Sequence, residues 1–178
     1  MRILRFPVLA IVLMMTVAGS LAVSAAPVWP NRSGWIIQPT PYTFDELTAR
    51  LKRAIVDEDM NLVSQASASA GAQLQGIKIP GNSVFGVFRN DFARRMLEAS
   101  LAAGIEAPIR FYVTEDPKGT ATLAYKTPHM LLKPYFEDGG DALRELADEL
   151  DEVFKTIAIR AIRPEGPDGT SESSPSRE

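Results

Sequence analysis

No cysteine occurs anywhere in the 178-residue chain, and that limits what it can fold into more than any motif does. The opening residues sharpen the constraint. Arg2 and Arg5 precede an apolar stretch from Val8 to Val17, and Val23-Ser24-Ala25 follow. These are the charged, apolar and small-residue regions of an export leader. Exported domains commonly rely on disulfides, so this one has to be held together by packing alone. The same absence removes a thiolate nucleophile, cysteine-ligated zinc or iron–sulfur sites, and covalent c-type haem attachment.

Cleavage after Ala25 is the preferred reading, because cleavage after Ala26 would place Pro27 beside the scissile bond. It leaves 153 residues, the length of one domain. Without Arg2 and Arg5 the 19 basic side chains become 17 against 22 acidic, a formal charge of −5, which speaks against nucleic-acid binding. The alternative is an uncleaved inner-membrane anchor. Phe6 to Ala26 matches the roughly 20 residues a bilayer requires, but Pro7, Gly19, Ser20 and Ser24 dilute the stretch. Both readings put the domain outside the inner membrane, periplasmic or secreted. The expected organisation is a signal peptide over 1–25, a linker over 26–34, a folded domain over 35–163 and a disordered tail over 164–178.

Apolar residues make up 46% of the chain, enough for a real core. Trp35-Ile36-Ile37 reads as a short strand stopped by Pro39. Thr43-Phe44-Asp45-Glu46 is a capping box, and Phe44, Leu47, Leu51, Ala54 and Ile55 then recur at helical spacing, so a helix is expected over 43–58. A strand over 61–66 and a two-turn helix over 67–75 follow. Val84, Phe85, Val87 and Phe88 form a strand dense enough to be covered on both faces. Phe92, Met96, Ala99 and Ala103 trace a helix ended by Gly104. Residues 108–114 and 120–125 bracket a Pro/Gly loop as a β-hairpin, Thr127-Pro128 opens a short helix, and Leu143 to Ile162 carries a long apolar stripe. The order is β-α-β-α-β-α-β-β-α-α. It predicts an α/β chain in a two-layer α+β arrangement: a mixed sheet of about five strands with helices packed on it.

Several segments together carry a resemblance. They are Tyr42-Thr43-Phe44-Asp45-Glu46-Leu47, Gly76-Ile77-Lys78-Ile79-Pro80, Val84-Phe85-Gly86-Val87-Phe88, Ala107 to Val113 and Ala124-Tyr125-Lys126-Thr127-Pro128. Their succession over roughly 35–162 resembles the DUF302 family, a bacterial domain without an assigned reaction. The resemblance implies a compact domain with the TT1751-like fold, often dimeric. At the turn where the family carries a Gly-Asn-Pro-type sequence, this chain has Arg89-Asn90-Asp91.

His129 is the only histidine, so any imidazole chemistry falls on it. One candidate site joins Tyr125 and His129, with Glu106 or Glu115 orienting the ring; the plainer reading is a surface or capping histidine. Alternation puts Arg110 and Tyr112 on one strand face, where a guanidinium and a phenol can meet an anionic ligand; the plainer reading is a stacked cross-strand pair. The acidic residues of the last helix read as a solvated face. No metal set, phosphate loop or nucleophile elbow is present in the sequence, and no catalytic residue is assigned. The leading expectation is therefore a non-catalytic, cofactor-free domain that binds a small ligand or a periplasmic protein as a homodimer, with Trp35 to Gln38 as a natural seam. Arg110, Tyr112, Tyr125 and His129 are its candidate ligand residues. The alternative is an enzyme or redox accessory protein using Tyr125, His129 and Arg110 around non-covalent haem or an anion.

Overall fold

The computed structural model describes Trp29 and residues 32–164. The expected signal peptide, and positions 165–178 of the expected tail, lie outside these residues. Among the described residues no helix is long and apolar enough to cross a membrane.

The elements follow the anticipated order. They are β1 (Trp35–Pro39), α1 (Phe44–Asp57), β2 (Asn61–Ala66), α2 (Ala68–Leu74), β3 (Asn82–Phe88), α3 (Asn90–Ala99), β4 (Ile109–Glu115), β5 (Ala121–Lys126), α4 (Pro128–Leu132) and α5 (Phe136–Ile162). The Thr43 hydroxyl caps α1 by accepting the Glu46 N–H at 3.3 Å, and Ser67 caps α2 through the Ala70 N–H. The helix after β3 stops at Ala99, earlier than expected, because Ser100 is extended. A 3-10 turn over Ala102–Glu106 then delivers Ala103 to the core.

The five strands lie in the order β1-β5-β4-β3-β2, and every neighbouring pair is antiparallel. This corrects the mixed sheet expected from the sequence. The physical reason is length. Strands of six or seven residues are about 20 Å long, whereas α2, with seven residues, reaches only about 10 Å. Too short to carry the chain back for a parallel return, α2 instead occupies a loop of the meander β2-β3-β4-β5, and α3 does likewise. Among the helices that join one strand to the next, only α1, with 14 residues, reaches about 20 Å. It carries the chain from β1 to β2, two strands that run the same way at opposite edges of the sheet.

Helices α1, α3 and α5 pack side by side over one sheet face. That face presents Phe85, Phe111, Val113, Leu123 and Tyr125, all buried. Phe154 of α5 stacks on Phe111 at 4.7 Å between ring centroids and 14° between planes, joining the two layers. The C-terminal end of α5 is tied to α1 by Arg50. Its Nε donates to the Ala161 carbonyl at 2.8 Å, Nη2 donates to the Arg163 carbonyl, and the guanidinium lies 4.3 Å from the Tyr42 ring centroid. Among the described residues the other sheet face carries no helical layer, and strand alternation places Trp35, Arg110, Tyr112, Ala124 and Lys126 on it.

Candidate functional site

On this open face the register decides which side chains meet. Val84, Tyr112, Ala124 and Ile37 form one row across β3, β4, β5 and β1. Trp35 and Lys126 are paired next to it, and Arg110 is paired with Gly86. Ala124 is too small to fill its place in the row, so the larger neighbours stand around a depression of about 260 Å³. Its lining includes Trp35, Arg110, Tyr112, Ala124 and Lys126, and also Tyr125 and Leu131.

The walls are aromatic and the charges are positive. Trp29 packs edge-on to Tyr112 at 5.9 Å and beside Trp35 at 6.3 Å. Lys126 Nζ lies 5.3 Å from the Trp35 ring centroid, and the Arg32 guanidinium lies 5.7 Å from it. Arg110 is exposed and makes no ion pair among the described residues. A flat apolar body with an anionic group finds here both a stacking surface and a donor fork.

Arg110 and Tyr112 therefore share a face, as alternation implied. Tyr125 belongs to the opposite face. Its ring packs on Phe111 at 5.1 Å and on Phe154 at 6.0 Å. Burial first, and then the charges of Asp151 and Glu152, push its phenol up to about 12, so it is a neutral core group at ordinary pH. His129 stands apart from the depression. Its backbone N–H donates to Asp151 Oδ1 at 2.8 Å, its Nδ1 lies 2.7 Å from Asp148 Oδ1, and its ring meets Phe136 edge-on at 5.0 Å. The carboxylates considered as its partners are engaged elsewhere. Glu106 accepts from the Tyr135 hydroxyl at 2.9 Å and Glu115 from the Gly81 N–H at 2.7 Å. Arg110 and Tyr125 thus both border the depression, while His129 is not among its lining residues.

Trp35 and Lys126 carry no ligand signal in the sequence beyond their place on strands. The available signal was the hairpin: with a loop centred on Glu115 to Gly119, antiparallel counting puts Ala124 level with Arg110 and Lys126 on the same face, and the observed register, with Glu115 opposite Ala121, brings Lys126 closer to Arg110 than that counting does. The flanking β1 strand, and with it Trp35, enters only through the sheet order.

Comparison with known proteins adds the following. The profile of a family described as "Domain of unknown function DUF302" matches residues 36–159. A crystal structure of an uncharacterized conserved protein DUF302 from Bacillus stearothermophilus is similar in fold, with a TM-score of 0.64 at 20% identity. The match covers 73% of this chain and 99% of that one. A search of the curated proteins finds no match.

Proposed function

Because the chain belongs to the DUF302 family, whose description assigns no reaction, its role has to be read from its own surface. We propose that it is an exported, non-catalytic binding domain that works as a homodimer and takes a flat anionic small molecule on the open sheet face. The observation that carries this reading is the aromatic depression of about 260 Å³ flanked by Arg110 and Lys126. The charged leader with its apolar stretch supports export. Edge strand β1, with no charged side chain over Trp35–Pro39, supports pairing with a second copy. Because Trp35 lies on that edge, such a pairing sets two ligand faces side by side.

The test uses 1-naphthalenesulfonate, with quenching of tryptophan emission and calorimetry as readouts. The expected result is saturable binding that weakens with salt, as exposed ionic contacts do. Arg110→Ala and Lys126→Ala should each lower affinity roughly tenfold, and Tyr112→Ala should reduce the quenching. Neutral naphthalene should bind more weakly than the sulfonate. Equal affinity in wild type and both cation variants sinks the ligand assignment. Light scattering after size exclusion tests the assembly separately, and a monomer at all concentrations removes the dimer.

A further inference from the structure

A second recess, about 820 Å³, opens at the opposite end of the central strands. The first turns of α1 form one wall through Phe44, Asp45 and Thr48, Ser83 of β3 contributes to the floor, and Glu115 of β4 stands at the rim. The far wall is the segment from Ser67 to Ile79. The recess persists because that segment is not packed down: α2 buries no residue, and Leu74 is 91% exposed.

Two hydroxyls in this recess are unusual. Ser83 is only 2% exposed, and its side chain makes no hydrogen bond among the described residues. Thr48 Oγ1 is out of solvent contact and also lacks a partner. A buried hydroxyl without a partner, such as that of Thr48, destabilises a fold, so native chains rarely keep one without a reason. Valine at position 48 would fill the same space without that penalty. Both residues line the recess: a bound molecule meets the Ser83 hydroxyl as it stands, and a χ1 rotation of Thr48 brings its Oγ1 to the same molecule.

We infer that this recess binds a neutral, hydroxyl-rich small ligand of the saccharide class. Hydroxyls such as those of Thr48 and Ser83 donate and accept equally well, as sugar hydroxyls require. The carboxylates of Asp45 and Glu115 accept only, and the Gly81 N–H orients Glu115 through a 2.7 Å hydrogen bond to Oε2. With Lys78 as the single cation among the lining residues, the balance of charge is negative, which disfavours phosphorylated or carboxylated ligands and sets this site apart from the open face. The Phe44 ring supplies an apolar wall. It is seated by Gly81, where a Cβ would fall 2.6 Å from the ring.

The experiment titrates the intact chain with maltotriose and, separately, with triacetylchitotriose, following amide resonances by NMR; glucose 1-phosphate is the anionic control. One of the neutral sugars should bind with a dissociation constant of about 1 mM and shift the resonances of Thr48, Ser83 and Glu115. The phosphorylated sugar should bind more weakly. Thr48→Val and Ser83→Ala should each weaken binding roughly tenfold while leaving the melting temperature unchanged or raised, and Thr48→Ser should retain binding. Three outcomes overturn the proposal. One is the absence of shifts with both neutral sugars at about 10 mM; another is tighter binding of the phosphorylated sugar. The third is a pair of hydroxyl deletions that lower the melting temperature and leave binding intact, which would mean that only water fills the recess.

Discussion

Asp151 lies partly buried beneath α4, where its Oδ1 accepts the N–H of His129 and so satisfies one of the free donors of that short helix. Burial holds its carboxyl above the usual aspartate value of 3.8, and the His129 N–H offsets this only in part. An aspartate raised in this way binds more protons folded than unfolded just above that value. Stability therefore falls as pH rises through the window between the unfolded and folded values. An asparagine side chain at this position keeps an acceptor for the N–H and carries no charge. Asp151→Asn should therefore melt higher than wild type near neutral pH, with the two curves merging below the ordinary aspartate value; thermal scans across pH read this directly. A variant that melts lower at neutral pH would show that the ionised carboxylate is a net stabiliser. His129 stood out in the sequence by being alone, but its partners did not. Asp148 and Asp151 are 19 and 22 positions further on, in a helix whose acidic residues read as solvated, and only the packing of α4 on α5 brings Asp148 to the imidazole and Asp151 to the backbone N–H.

The run Phe136–Ile162 is interrupted at Gly140, with φ 56° and ψ −150°, a backbone state reserved in practice for glycine. Nothing lies within 4 Å of a Cβ built there, so the demand is one of conformation and not of space. Gly140→Ala should cost about 1–3 kcal/mol, measured by urea denaturation, without affecting binding at the open face. Retention of full stability would show that the chain can turn there by other means. At this scale the sequence was most legible where signals were local. The Thr43 box, the hairpin loop and the Gly139-Gly140 break each act over a few residues. The end of α3 was misplaced because Ala103 continues the apolar spacing of Phe92, Met96 and Ala99. Periodicity alone does not distinguish one continuous helix from a helix, an extended Ser100 and a 3-10 turn that bury the same residues.

With no disulfide available to the chain, the helical layer is joined to the sheet through side-chain contact, and Phe154 is central to it. Fully buried, it stacks on Phe111 and approaches Tyr125 at 6.0 Å. Phe154→Ala leaves a void between the layers and should cost about 3–5 kcal/mol, readable as a loss of melting temperature. A cost near 1 kcal/mol would mean that the layers collapse onto each other readily. Around this contact the sheet is open on one face, where the tryptophans, Tyr112 and the cations gather. A recess lined by the unsatisfied Thr48 hydroxyl and by Ser83 opens at its end. One domain thus presents two chemically opposite concavities, one aromatic and cationic, the other polar and acidic.

Residue spacing by itself determined the strands and helices, their order, the shared face of Arg110 and Tyr112, and the dependence on apolar packing, because each follows from interactions between residues close in the chain. The antiparallel order of the strands, the separation of His129 from Arg110, and the entry of Trp35 and Lys126 into the candidate site were decided only in three dimensions. They depend on which strand is neighbour to which and on whether a helix is long enough to carry the chain across. Those are properties of distance between elements, and no periodicity within an element encodes them.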